Sequence, residues 1–285
     1  MKIAMKGCAR IFMRKPGIHE IKIPGFLGSL WKCFAGGLTA LCLGGALVSA
    51  RAQCPPGMVC VSNGVFHPLF RSQTDLKEVP VESFYLDVVP VTNEKFLEFV
   101  RANPRWQRSQ VKRIFADESY LKNWVADLEP GTNAPSDAPV TFVSWFAAKA
   151  FAQWQGKRLP TVAEWEVAAA ASPTLADGAK DAAFQHEILR WYATSSPSVL
   201  PSVSDGQKNF WGVRDLHGLV WEWVSDFNSA TVTGDARGDT GLDRQLFCGA
   251  GAVGAKDVEN FPAFMRYGLR SSLKAANTNL QSMCH

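Results

Sequence analysis

The chain has 285 residues, of which 47% are apolar, with 30 Lys and Arg against 26 Asp and Glu. Much of the positive charge lies in residues 1–52, which hold eight Lys and Arg and one acid, Glu20. Residues 53–285 hold 22 basic and 25 acidic residues, a formal charge of −3. This mildly acidic body gives no argument for binding nucleic acid or an anionic membrane. It is long enough for a single domain with one core.

Residues 1–52 have the features of a secretory signal peptide. A basic segment precedes an apolar run over 34–50, and Ala50-Arg51-Ala52 gives a small-x-small cleavage pattern. We therefore expect export to the periplasm with cleavage near Ala52, leaving one domain over 53–285. The alternative is an uncleaved N-terminal anchor facing the periplasm, because the run has about the 17 residues that span a bilayer. We expect contact with a membrane only through such a retained leader.

The first part of the body predicts short strands and one helix. Strong β-formers occupy 60–66 and 79–89, and Pro90-Val91-Thr92 precedes a predicted helix over 93–102. Residues 103–138 are polar and irregular, and 139–143 predict a strand or an extended entry to the next helix.

Two capped helices are predicted next. Ser144 can N-cap a helix over 145–155 that Gly156 ends, and Thr161 with Glu164 forms a capping box for a helix reaching 171. Residues 172–210 are predicted to be mainly loop, and the C-terminal part offers short apolar runs. Few helices and short strands without strict alternation indicate an α+β fold with much irregular structure and exclude a doubly wound sheet.

The segment 212–226 is the most informative, because a glycine-bearing turn leads into Trp221-Glu222-Trp223. Two Trp side chains flanking one carboxylate are typical of a buried frame that holds a charge in a set direction. Together with 156–169 (G-K-R-L-P-T-V-A-E-W-E-V-A-A), 84–96 and 139–145, it resembles the formylglycine-generating-enzyme or sulfatase-modifying-factor family. The resemblance covers most of 57–284 and implies a variant of the C-type-lectin fold. It also implies that 264–273 is the penultimate strand.

The resemblance implies a structural calcium site on the Trp-Glu-Trp turn. Family members bind Ca²⁺ there through a side-chain oxygen, two backbone carbonyls and the central Glu, and the matching positions are Asp215, Gly218, Val220 and Glu222. All-oxygen ligands suit Ca²⁺. The alternative is a metal-free turn in which Glu222 pairs with an Arg such as Arg266 or Arg270.

The resemblance also implies a catalytic copper site, which this chain lacks in its family form. Family oxidases bind Cu(I) with two Cys five positions apart, and the matching positions fall near Gly254 and Glu259. Soft thiolates suit Cu(I), so Cys248 and Cys284 are the remaining catalytic candidates. The iron-dependent branch of the family uses a three-His site, and the four His after residue 52 do not form one.

The four cysteines after residue 52 predict disulfides in an exported protein. Three pairings are open, and we favour Cys54–Cys60 as a local clip with Cys248–Cys284 as a long-range bridge. We expect a maturation or accessory factor that acts on a client protein or an exported small molecule in an oxidative or copper-related step. The alternative is a non-catalytic, calcium-stabilised binding module on the same scaffold.

Overall fold

The computed structural model describes residues 7–9, 12–14, 54–69, 76–228 and 261–278, and of 7–9 and 12–14 only the backbone. The described strands are β1 (Gly7–Ala9), β2 (Phe12–Arg14), β3 (Met58–Val61), β4 (Gly64–Phe66), β5 (Val79–Val81), β6 (Phe84–Asp87) and β7 (Trp221–Trp223). The described α-helices are α1 (Asn93–Ala102), α2 (Trp145–Trp154), α3 (Val162–Ala169), α4 (Ala182–Ala193) and α5 (Phe261–Ser272). This composition confirms the α+β prediction.

Short antiparallel pairings dominate the sheets. Strand β6 lies between β2 and β3, and both neighbours run antiparallel to it. Strand β4 pairs with β5, so each of the two strand regions predicted from sequence divides into two strands. Phe84 and Leu86 of β6 are fully buried, which places this central strand against the core.

Strands β1 and β2 come from the segment in which we predicted a signal peptide. Strand β1 runs parallel to β7, with Cys8 opposite Glu222, and β2 adds to the edge of β6. Within the described ranges, none of the helices has the length and apolar character needed to cross a bilayer. Cleavage near Ala52 and export stay predictions.

Helix α1 has the predicted bounds because its first turn is capped and its inner face is aromatic. Thr92 accepts a hydrogen bond from the Lys95 backbone N–H, and Phe96 and Phe99 are buried. Their rings pack against each other and against Phe151 of α2. An apolar stripe at helical spacing therefore joins α1 and α2 into the core.

Both predicted caps of α2 and α3 are confirmed. Ser144 accepts from the Ala147 N–H, and the Thr161–Glu164 capping box is complete. Gly156 follows α2 with a φ of +67°, a left-handed conformation that glycine adopts without a Cβ clash. The chain then passes through Leu159, which is buried, into α3, which carries Trp165 and Glu166.

The structure adds one helix to the sequence prediction and contradicts one predicted strand. The 172–210 region contains α4, whose N-terminus is capped by Asp181. The segment 264–273, predicted as a strand, is mostly helix α5, in which Phe264 and Arg266 are buried and face α3 and α4. Its apolar and Arg positions recur at helical spacing, and this pattern outweighs the resemblance to a family strand. Residues 139–143 form only an isolated bridge, with Phe142 at a φ of +59°.

Candidate functional site

Helix α3 presents two acids to different surroundings. At its N-terminus Glu164 accepts bonds from its own Thr161 N–H and from both Arg158 guanidinium nitrogens, at 2.7 and 2.6 Å. Burial would raise the pKa of Glu164, but these hydrogen bonds and the Arg158 charge lower it below its usual value. The Asp226 carboxylate accepts from the Val162 N–H, so the segment after β7 is bound to this helix end.

Two residues further, Glu166 forms a nearly buried ion cluster with α5. Arg266 donates through Nε and Nη2, the latter at 2.7 Å, and Arg270 Nη1 donates to the other oxygen at 2.6 Å. The side chains of all three are 10–14% exposed. Burial alone would raise the pKa of Glu166, but the two guanidinium charges lower it to about 2. The carboxylate is therefore ionised throughout the neutral range.

Trp165 connects this cluster to the Trp-Glu-Trp strand. The guanidinium carbons of Arg266 and Arg270 lie 5.5 and 5.4 Å from the centre of its ring, within the range of cation–π contacts. Its Nε1 donates to Glu222 Oε2 at 2.7 Å. The expected frame around Glu222 is thus present, but its described donor is an indole. The two arginines that we named as alternative partners of Glu222 instead bind Glu166.

A cavity of about 30 Å³ lies beside this junction and is lined by Trp165, Glu222, Arg266 and Arg270, together with apolar groups of β7 and α5. That volume holds about one water molecule. The interior around Glu166 and Glu222 is therefore closely packed and has no room for a substrate.

A larger cleft opens on the other side of the turn, between α4 and residues 201–219. Its volume is about 530 Å³, and we call it the Trp191 cleft. Phe184, Ile188 and Trp191 of α4 form one wall, and the facing wall carries polar side chains, among them Asp205, Lys208 and Asn209. Binding clefts for small ligands combine such apolar walls with a few polar groups.

His217 forms part of the cleft floor and separates it from Trp165. Its Nε2 lies 2.8 Å from the Ala169 carbonyl oxygen, and its ring contacts Trp165 and Phe184 edge to face. Burial, and then the charge of Arg266, lowers the pKa of His217 to about 4. A neutral imidazole that donates to a carbonyl is consistent with a packing role at this position.

The loop that carries the facing wall is held by Asn209 and by a close approach at Gly206. The Asn209 side chain accepts from the N–H groups of Trp211 and Val213 and donates to the Ala168 carbonyl of α3. A Cβ on Gly206 would overlap the Asp215 carboxylate, so any larger residue there would require that carboxylate to move. Asp215 itself has a φ of +55°. These contacts fix the cleft wall relative to α3.

The sequence also matches the model of a known protein family. The model of the sulfatase-modifying factor enzyme 1-like domain matches residues 45–279, which is most of the chain. The chain belongs to this family. Its short antiparallel strands, few helices and long irregular segments are those of the family's C-type-lectin-like fold.

Three curated relatives in the family have different names. The chain is 31% identical to a serine/threonine-protein kinase pkn1 of Chlamydia pneumoniae, over 55% of this chain and 25% of that protein. It is 30% identical to the bovine inactive C-alpha-formylglycine-generating enzyme 2, over 53% of this chain and 62% of that relative. It is 24% identical to the bovine formylglycine-generating enzyme, over 70% and 67%. The chain thus spans about a quarter of the length of the kinase-named relative.

The four positions predicted to bind calcium in this family member lie on one turn but face two cavities. Asp215 and Gly218 line the Trp191 cleft, whereas Glu222 lines the small cavity and accepts from Trp165. Val220 is buried at the start of the strand. Oxygen ligands are present, but the two carboxylates do not converge on one cavity. Calcium at this turn stays a prediction.

The cysteine predictions are only partly covered by the described residues. Cys54 and Cys60 are both free, so the local disulfide that we favoured is not formed in this structure. Cys248 and Cys284 lie outside the described residues. Over the described ranges, no three His, Cys, Asp or Glu side chains are grouped to hold a metal ion.

Sequence reasoning missed Glu166 and the whole α4 wall. A signal for α4 was present, because Asp181 can cap a helix whose apolar residues Phe184, Ile188, Trp191 and Tyr192 recur at helical spacing. For Glu166 no local signal exists, since its partners lie 100 and 104 positions away.

Proposed function

We propose that the chain is a maturation or accessory factor of the sulfatase-modifying-factor family that binds its client in the Trp191 cleft. The client is an exported protein or an exported small molecule. The observation that carries the proposal is the cleft itself, whose volume of about 530 Å³ lies within the range of ligand-binding sites.

The composition of the cleft supports recognition of a client with both apolar and polar groups. Trp191 and Phe184 offer ring faces, while Lys208 and Asp205 can pair with charges of either sign. The wall is pre-organised, because Asn209 binds it to α3 and Tyr192 Oη donates to the Pro262 carbonyl of α5. Such rigidity lowers the entropy lost on binding.

An oxidative step in this proposal requires Cys248 and Cys284 as free thiols, which is the alternative to the disulfide favoured from the sequence. Copper bound by thiolates would supply the reaction of O₂ with a substrate thiol, as the family resemblance implies. The family's own Cys positions are near Gly254 and Glu259 here, so we do not propose formylglycine generation. The expected place of action is the periplasm, after cleavage near Ala52 or from a retained anchor.

The second candidate is a non-catalytic binding module with a structural calcium ion at the Asp215–Glu222 turn. One observation favours it: the family's Cys pair is missing from the sequence, where Gly254 and Glu259 stand near the matching positions. The similarity to the bovine inactive C-alpha-formylglycine-generating enzyme 2 is consistent with it. In this form the cleft binds the client and no chemistry follows.

The test compares client capture, metal content and O₂ uptake in one preparation. The tagged full chain is recovered from its own host's exported fraction, alongside the cleft variant Arg190→Glu/Lys208→Glu and the matched control Lys149→Glu/Lys180→Glu, which changes exposed lysines outside the cleft. We expect the cleft variant to lose a co-purifying client that the control keeps. Equal retention by both variants would sink the proposal.

Elemental mass spectrometry and an oxygen electrode then separate the two candidates. Near-stoichiometric copper with O₂ uptake on addition of client thiol supports the oxidative factor, and both should vanish in Cys248→Ser/Cys284→Ser. Calcium without copper, together with a melting temperature that falls on chelation, supports the binding module.

A further inference from the structure

Within residues 53–285, positive charge is concentrated in one short segment that does not line the Trp191 cleft. Residues 101–113 contain five Lys and Arg and no Asp or Glu. The rest of 53–285 holds 17 basic and 25 acidic residues, a formal charge of −8. Net charge alone gives no argument for an anionic partner, but this separation does, because the local field at one face is set by nearby charges.

The same segment ends in exposed apolar side chains. Ile114 is 70% exposed and Phe115 is 38% exposed, directly after Lys112 and Arg113. We call residues 101–115 the 101–115 surface. All five of its basic side chains belong to exposed residues. An exposed aliphatic side chain that follows exposed cations is the combination that membrane-surface segments present to a bilayer.

Ring packing and hydrogen bonds hold the 101–115 surface in place. Trp106 is buried beneath it, its ring contacts Phe99 and Phe115, and its carbonyl accepts from Tyr120 Oη. Arg108 Nη1 donates to the Trp124 carbonyl at 2.9 Å, and Ser109 donates twice to Asp127. The tip is therefore presented in one conformation.

We propose that the 101–115 surface binds an anionic lipid bilayer from the aqueous side. The basic side chains lie against the headgroups, and Ile114 enters the boundary between headgroups and acyl chains. An exposed aliphatic tip offers little to nucleic acid, whose contacts to such a surface are made by cations and stacking rings. An acidic peptide would gain from the charges but not from a side chain that protrudes without a wall around it.

Charge complementarity also orients the protein on this membrane. The remainder of 53–285 has a formal charge of −8 and is not attracted to these headgroups, so charge favours an orientation in which residues 101–113 face the bilayer. This binding is independent of whether the Trp191 cleft binds a client.

The test is co-sedimentation of the purified full chain with vesicles of phosphatidylcholine alone and of phosphatidylcholine mixed with phosphatidylglycerol. Every variant carries the same leader, so differences between variants report the body of the protein. The first variant is Arg101→Gln/Lys112→Gln/Arg113→Gln. Its control, Lys77→Gln/Lys180→Gln/Lys274→Gln, removes the same total charge from exposed lysines at separate positions.

We expect the first variant to lose on the order of a hundredfold in partitioning to anionic vesicles, and the control less than about threefold. Ile114→Ser should lose about tenfold, and Leu76→Ser, which changes a side chain of similar exposure, very little. Circular dichroism checks that each variant is folded.

Equal losses in both triple variants would overturn the proposal, because net charge would then explain the binding. So would equal binding of the unmodified chain to neutral and anionic vesicles. If the unmodified chain binds no vesicle, while the first variant loses its co-purifying client and the control keeps it, the surface serves an acidic protein partner instead. The cleft variant Arg190→Glu/Lys208→Glu tests the client site separately.

Discussion

Glu164 and Glu166 lie two residues apart on the same helix, but they differ in their partners and in what they stabilise. Glu164 closes the first turn of α3 with Thr161 and Arg158, all within six positions in sequence. Glu166 binds Arg266 and Arg270, which lie 100 and 104 positions further along the chain, and all three side chains are nearly buried. The first acid stabilises a helix end, and the second joins α3 to α5. Whether a carboxylate on this helix contributes local or global stability therefore depends on its partners and its burial.

The largest effect should come from removing the buried charge. Glu166→Gln leaves two guanidinium groups uncompensated where little solvent reaches them, so we expect about 3–5 kcal/mol less free energy of unfolding. Urea denaturation followed by fluorescence measures this. A loss below about 1 kcal/mol would show that the arginines find other partners and that the cluster does not hold α5.

Acid should lower the free energy of unfolding in two pH windows, one set by His217 and the other by Glu166. His217 has a lowered pKa of about 4 in the folded state, so the unfolded state takes up its proton first and stability falls between about 6.5 and 4. Glu166, whose folded pKa is about 2, contributes stability above about 4.5 that is lost on further acidification towards 2.

Histidine replacement tests the upper window. His217→Gln should abolish a loss of on the order of 2 kcal/mol between pH 6.5 and 4, measured as the urea midpoint at several pH values. His186→Gln, a change at an exposed position of α4, serves as the control and should leave the pH profile unchanged. An unaltered profile in His217→Gln would contradict the buried, neutral state of this ring.

The capping box should contribute less than the buried cluster. Thr161→Ala removes the hydrogen bond to the Glu164 N–H, so we expect about 1 kcal/mol less free energy of unfolding. Thr132→Ala, at an exposed turn position, is the matched control. A loss equal to that of Glu166→Gln would remove the distinction between the two acids.

The smallest effect should come from an exposed pair. Glu98 lies 3.3 Å from Lys95 on α1, and both side chains are about half exposed. Glu98→Gln should change the free energy of unfolding by less than about 0.5 kcal/mol, because water and salt screen the pair. A larger change in the same urea titration would mean that exposure is a poor guide to the value of an ion pair in this protein.

The sequence predicted the features of this molecule that depend on neighbours in the chain. The caps by Thr92, Ser144 and Thr161 follow from spacing, and so does the glycine after α2. The family resemblance, carried by contiguous motifs, also predicted the fold correctly.

Long-range arrangements were not predictable in the same way. Helix α5 stands where the family resemblance implied a strand, because the resemblance does not take account of the helical spacing of its apolar and Arg positions. Arg266, named as one alternative partner of Glu222, binds Glu166 instead, and nothing local in the sequence distinguishes the two acids. The Trp191 cleft requires α4 and the 201–219 segment to face each other, which no short pattern encodes.

The ion cluster that joins α3 to α5 affects the order in which parts of the protein can fold. During synthesis Glu166 emerges about a hundred residues before Arg266, and until then it has neither of its cations. A carboxylate without a counter-charge resists enclosure, and Trp165 packs against the same two arginines, so this part of the interior waits for the end of the chain. A product that stops before α5 should therefore stay open and be degraded, and completeness of the polypeptide becomes a condition for forming the interior.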